Sequence, residues 1–144
     1  MDFNFSLHNK NLDVSTIIED FNNEHGQFSA CKVDIDVNIM ADAILAVYSH
    51  LTPRMYAIEA NCKYEVLVGS EIITALSYFI QGGVHYPTDG LITDFQGKMF
   101  SELSRQDQRR LRSEELCVTT LASYSGNKGK VEAFRTVVSK INAM

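Results

Sequence analysis

Proline and glycine are scarce, with 2 and 8 residues in a chain of 144. With 45% of residues hydrophobic and 22% charged, this excludes collagen-like, low-complexity and disordered compositions. Cysteine is equally sparse: Cys31, Cys62 and Cys117 are odd in number and widely spaced. Neither a disulfide framework nor a zinc site built on close pairs is expected. Long apolar runs are missing too. The most apolar stretch, Ile72 to Ile80, is far too short to span a bilayer and is bounded by Glu71 and Gln81. The opening MDFNFSLHNK has no basic start followed by an apolar segment, so no secretion signal is expected. These absences predict a cytoplasmic protein without a membrane partner. A virus-encoded chain made in a host cytoplasm, or carried in a virion, would share them.

The length predicts a single domain over 1–144, large enough to bury roughly 68–70% of its unfolded surface without metal or cofactor. Phe3, Phe5 and Leu7 alternate with polar residues and predict a first strand. Asp13 or Ser15 can cap a short helix carrying Ile17, Ile18 and Phe21, closed by Gly26. Val33, Ile35, Val37 and Ile39 alternate with Lys32, Asp34, Asp36 and Asn38 and predict a second strand. From Met40 the period becomes helical through Ala43, Ile44, Val47, Tyr48 and Leu51, with Pro53 as the stop. A strand is expected over about 61–68, its start undecided, because every even position from Tyr56 to Val68 is apolar except for polar heads on Tyr. A helix capped by Ser70 follows, with Ile72, Ile73, Leu76, Phe79 and Ile80 inward and Gly82-Gly83 as its end. Val84 to Phe100 predicts one or two short strands. From Ser104 onward two helices are expected, joined by Gly126 to Gly129.

The strands carry Asp34/Asp36 and Glu59/Glu65 on one side, unlike the unbroken apolar strands of a fully parallel sheet. The expected class is therefore α+β: a small mixed or antiparallel sheet, helices packed mainly on one face, and a C-terminal helical hairpin.

Charge is unevenly laid out. The chain is −5 overall. Residues 1–100 hold 5 basic and 13 acidic side chains, whereas 101–144 hold 8 basic and 5 acidic. An acidic α/β body would thus carry a basic hairpin, a layout that hints at a polyanionic or complementary partner. Arg105, Arg109 and Arg112 share one helical stripe, and Lys128 and Lys130 open the next helix, where free backbone N–H groups favour anions. These five residues are the candidate partner- or anion-binding set. The plainer reading is a solvated mixed-charge face, and the lack of aromatics over 101–123 argues against a nucleic-acid groove.

Other motifs fail on inspection. Asp34-Ile-Asp36-Val-Asn38 opens like a calcium loop but has Ile39 for the turning Gly and Leu45 for the bidentate Glu. Two carboxylates there, with Asp89 or Asp94, could hold a magnesium ion, but an exposed strand face accounts for them more simply. Tyr124 to Val131 shadows a phosphate loop, with Tyr for the first Gly and Val for the metal-binding hydroxyl. Glu115 to Ile141 only faintly follows a helix-turn-helix. His8, His25, His50 and His85 form no close pair, and His85 with Asp89 in a Gly/Pro loop lacks the second half of a site. Tyr56, Tyr64 and Tyr78 read as core edges. No catalytic residue, metal ligand or cofactor is predicted.

The pattern points to a non-catalytic, protein-binding subunit: an adaptor, an inhibitor or a building block of a larger assembly. A viral assembly component and an immunity or anti-defence protein both fit. The expected partner is a protein or a second copy of the chain, with apolar help from Phe3, Phe5 and Ile141 to Met144. The alternatives are a small enzyme acting on a phosphorylated or nucleotide substrate, using Asp34/Asp36 or His85/Asp89 with Lys128 or Lys130, and nucleic-acid binding by the C-terminal segment.

Overall fold

The computed structural model describes residues 3–21, 26, 28–29 and 34–142. Its elements in order are β1 (Leu7–Asp13), α1 (Val14–Phe21), β2 (Phe28–Ser29), α2 (Val37–Tyr48), β3 (Met55–Ala60), β4 (Lys63–Val68), α3 (Ser70–Ile80), α4 (Arg105–Ser113), β5 (Glu115–Ala122) and α5 (Lys128–Asn142). The strands form one sheet in the order β1-β5-β3-β4-β2, four full strands with the two-residue β2 at an edge. β1–β5 and β3–β4 pair antiparallel, β3–β5 and β2–β4 parallel. The sheet is mixed and the class is α+β, as the residue pattern predicts.

Successive residues of a strand face opposite ways, so each strand builds two cores. Met55 and Ala57 of β3, with Leu116 and Val118 of β5, pack under α1, α2, α3 and Leu111 of α4. Ile58 of β3 and Leu121 of β5 turn to the other side, where Phe134 and Val138 of α5 cover them. Among the described residues, four helices thus share one face and α5 has the other to itself.

The C-terminal hairpin is corrected: a strand lies between its two helices. Residues 115–122 form β5, next to the middle of the sheet, with Leu116, Val118, Thr119, Thr120 and Leu121 all buried. A short apolar run buried on both faces has no period that separates helix from strand, and the β-branched Val118-Thr119-Thr120 resolves it as strand. The helix-turn-helix shadow disappears with it.

The alternation over 33–39 misleads in the opposite direction. Residues 34–36 are irregular and Val37 begins α2, while Val33 lies outside the described residues. The Asp36 carboxylate accepts the Ile39 N–H at 2.8 Å, which starts the helix there. Val37 and Ile39 remain 43% and 42% exposed, and Met40, Ala41, Ile44 and Val47 make the buried stripe. Asp36 is therefore a cap and not half of a strand-borne carboxylate pair. Asp13 caps α1 in the same way, accepting the Thr16 N–H at 2.7 Å, and the Thr16 hydroxyl together with this N–H holds its carboxyl below the ordinary range.

The even-numbered stripe from Tyr56 to Val68 belongs to two strands. Asn61 and Cys62, with φ of 52° and 61°, form the tight turn that reverses the chain between β3 and β4. β1 begins at Leu7, four residues after the predicted alternation starts, and Phe5 packs edge-on against Phe134 instead. At the head of α3, Gly69 (φ 117°) takes the cap position expected of Ser70, and a Cβ there would lie 2.5 Å from Met55 Sδ.

Residues 84–100 contain no strand. Pairing shrinks to one exchange, Tyr86 N–H to Lys98 O at 2.8 Å and Gly97 N–H to Tyr86 O at 3.0 Å, with one short 3-10 turn (Thr93–Phe95) inside it and a second (Phe100–Glu102) after it. What organises the segment is a ring cluster: Phe79 meets Tyr86, Phe95 and Phe100 at centroid distances of 6.2, 6.2 and 5.9 Å, and Tyr48 joins Phe95 at 5.2 Å.

Candidate interaction surface

α4 carries four arginines in nine residues and a single buried side chain, Leu111. Ser104 caps it by accepting the Asp107 N–H at 3.1 Å, and Arg110 and Arg112 fall in its last turn, where cations favour the helix dipole. So polar a helix needs anchorage beyond one leucine. Arg110 lays its guanidinium 3.9 Å from the Tyr48 ring centroid and donates to Tyr48 O at 2.9 Å. Arg112 lies 5.1 Å from the Phe100 centroid. Both arginines roof the aromatic cluster, each stacking contributing about 0.5–1 kcal/mol at an exposed site.

The five predicted binding residues therefore separate. Arg105, Arg109 and Arg112 share α4, but Arg112 is engaged with Phe100. Arg105 and Arg109 are exposed, with no hydrogen-bond or ion-pair partner among the described residues. Lys128 and Lys130 open α5, beyond the far end of β5 and on the opposite sheet face. Eight residues of strand, about 26 Å at roughly 3.3 Å each, divide the two groups. Lys128 is exposed, whereas Lys130 is half-buried and already engaged. The single basic pole implied by composition is two unlike places.

The acidic side chains also find definite positions. Glu65 forms a two-pronged pair with Arg135, one arm at 3.0 Å, and the guanidinium holds the Glu65 carboxyl below its usual range. Glu114 meets His50 at 2.5 Å. Asp42 of α2 and Asp89 of the 86–91 loop, both exposed, flank a groove of about 150 Å³ with Asn38, Leu45, Tyr86 and Leu91. His85 lies apart, its Nδ1 3.0 Å from Gly97 O. Asp34 and Asp36 stand at the head of α2, across the sheet from Lys128. The segments that an enzyme reading required thus do not converge in one cleft.

Two other constellations were not singled out by sequence. On β1, Lys10 donates to Tyr64 Oη at 2.6 Å and to Glu59 Oε2 at 3.0 Å, beside a groove of about 440 Å³ that also borders His8, Cys62 and Ser123. The Tyr64 and Glu59 bonds raise the Lys10 pKa despite partial burial, so its amine is a fixed cation and not a nucleophile. A charge in the middle of an edge strand also discourages pairing with a further strand. On the opposite face Arg54 donates to Asn9 Oδ1 at 2.9 Å and Thr119 Oγ1 at 2.8 Å. It borders a groove of about 490 Å³ at the head of α3, which Glu71 also lines.

The 124–131 segment follows a strand and enters a helix, the context a phosphate loop requires and which the predicted hairpin denied it. Its residues still fail. Asn127 is buried and spends its side chain on the turn itself, accepting from Tyr124 N–H at 2.9 Å and donating to Ala122 O at 2.7 Å.

Among the described residues no group of three or more His, Cys, Asp or Glu side chains is placed to hold a metal ion, and no helix is long and apolar enough to cross a membrane. Cys62 is exposed and Cys117 half-buried, both as free thiols, and Cys31 and His25 lie outside the described residues. No family model matches the chain, and no curated protein or solved structure is significantly similar to it.

Proposed function

We propose that the chain is a non-catalytic, protein-binding subunit that presents the exposed face of α4 to a carboxylate-bearing protein surface. One observation carries the reading: Arg105 and Arg109 project from a helix held by one leucine and two ring-stacked arginines, with no partner of their own among the described residues. Two unneutralised guanidinium groups on a chain of net charge −5 favour a carboxylate-bearing ligand, which they can hold through paired N–H donors. Charge sets orientation and encounter rate in such contacts, and apolar neighbours supply most of the affinity. Leu51 and Leu91, 77% and 78% exposed, are the most exposed large apolar side chains among the described residues.

The test is a fluorescence-anisotropy titration of the full chain with a labelled glutamate-rich peptide, with a DNA duplex of equal charge as the second arm. Binding of the peptide that falls at least tenfold in Arg105→Glu/Arg109→Glu supports the reading. Peptide binding indifferent to these residues overturns it. Preference for the duplex, with a steep salt slope, would transfer the function to nucleic acid.

A further inference from the structure

The acidic groove and α4 both adjoin one helix, α2. Arg110 sits on Tyr48, the last residue of α2, and Leu45, one turn earlier, lines the groove flanked by Asp42 and Asp89. Asp42 precedes Tyr48 by six residues, about 9 Å along the axis. α2 thus has the arginine-rich α4 against its last turn and the acidic groove beside its middle turns. Neither Asp42 nor Asp89 has a partner among the described residues.

Each of these two poles also has its own exposed leucine. Leu51 follows His50, which holds Glu114 at the end of α4, and Leu91 lines the acidic groove. A two-fold axis in the contact plane, perpendicular to the line joining the poles, brings each pole onto the opposite pole of the other copy. Leu51 then approaches Leu91 of the second copy, giving the contact an apolar centre.

We infer that this surface is self-complementary and that its partner is a second copy of the chain, with Arg105 and Arg109 of each copy facing Asp42 and Asp89 of the other. The inference rests on the protein-binding reading above and names the partner for the same arginine face. A contact of standard size takes about 800 Å² from each copy, roughly a tenth of the 8547 Å² accessible surface. With four ion pairs at its rim and two leucine contacts inside, the dimer is expected at micromolar strength, at the weak end for that area.

Sedimentation velocity on the full chain tests it, with circular dichroism verifying the fold of each variant. The expected result is a dimer in about 50 mM salt that weakens at least tenfold in about 500 mM, where the Debye length falls from roughly 14 Å to 4 Å. Arg105→Glu/Arg109→Glu and Asp42→Arg/Asp89→Arg are each expected to be monomeric alone and to form a heterodimer when mixed. A wild-type chain that stays monomeric, either reversed variant dimerising as tightly as wild type, or folded variants that fail to pair when mixed would overturn the inference. The peptide titration separates the two readings. A monomeric chain that still binds the glutamate peptide through Arg105 and Arg109 removes self-docking alone, whereas a chain that does neither removes both.

Discussion

α4 and α5 are both rich in cations, and the sheet between them treats the two in opposite ways. α5 buries Ala133, Phe134 and Val138 against Ile58 and Leu121, and its central Arg135 is spent on Glu65. α4 buries only Leu111, stacks Arg110 and Arg112 on rings, and leaves Arg105 and Arg109 facing outward. One helix is held by apolar area, the other by aromatic faces under guanidinium groups. Charge content alone does not separate them; what lies beneath each helix does.

Truncating the apolar anchors should break the comparison most visibly. Phe134→Ala is expected to cost about 3–5 kcal/mol and Leu111→Ala about 2–5 kcal/mol, read as lowered urea midpoints. Phe134 also holds Phe5 and Tyr56, at centroid distances of 5.4 and 6.4 Å. Its loss should therefore expose the whole α5 face to proteolysis.

Asn127→Ala should come next. It removes a buried side chain that bonds Ala122 O and the Tyr124 N–H at the entry of the turn before α5, with a loss of about 1–2 kcal/mol by thermal melting. Arg110→Ala should cost about 1 kcal/mol, whereas Arg110→Lys should recover only part, since an ammonium cannot lie flat on Tyr48.

Glu65→Gln should show less than about 1 kcal/mol, because both partners are nearly half exposed and solvent screens the pair. The sign with pH follows from its lowered pKa. The contribution is fully present above the ordinary glutamate value of about 4.3 and disappears as pH falls through the depressed folded-state value. Denaturation curves of wild type and Glu65→Gln should therefore converge as the pH falls below the ordinary glutamate range. The smallest effect belongs to Arg105→Glu/Arg109→Glu, within about 0.5 kcal/mol of wild type in stability. A large loss there would mean that these arginines hold the fold together, as Arg110 does.

Legibility from residues alone followed how local the cause was. The helix starts at Asp13 and near Ser104 and the helix over 70–80 depend on neighbours within a few positions, and they were readable. The stop at Pro53 was not: α2 ends at Tyr48 and leaves Leu51 outside it and exposed. Arg105, Arg109 and Arg112 were legible as a stripe for the same reason. That Arg112 turns to Phe100 was not, since the ring arrives from another segment. Nor was Asp42 legible as part of a surface, because Asp89 and Leu91 reach it through a loop some 45 residues away. Val33 to Ile39 shows a local rule yielding to another, a two-residue alternation overridden by one capping carboxylate.

Composition, spacing and capping residues determined the α+β class, most helix positions and the imbalance of charge, since each depends on short-range chemistry. Tertiary structure alone decided that 115–122 is a strand, that the basic residues divide between two faces, and that Asp89 and Leu91 stand beside Asp42. A strand buried on both sides is identified by its neighbours across the sheet, and a charge acquires its role from whatever the fold sets beside it.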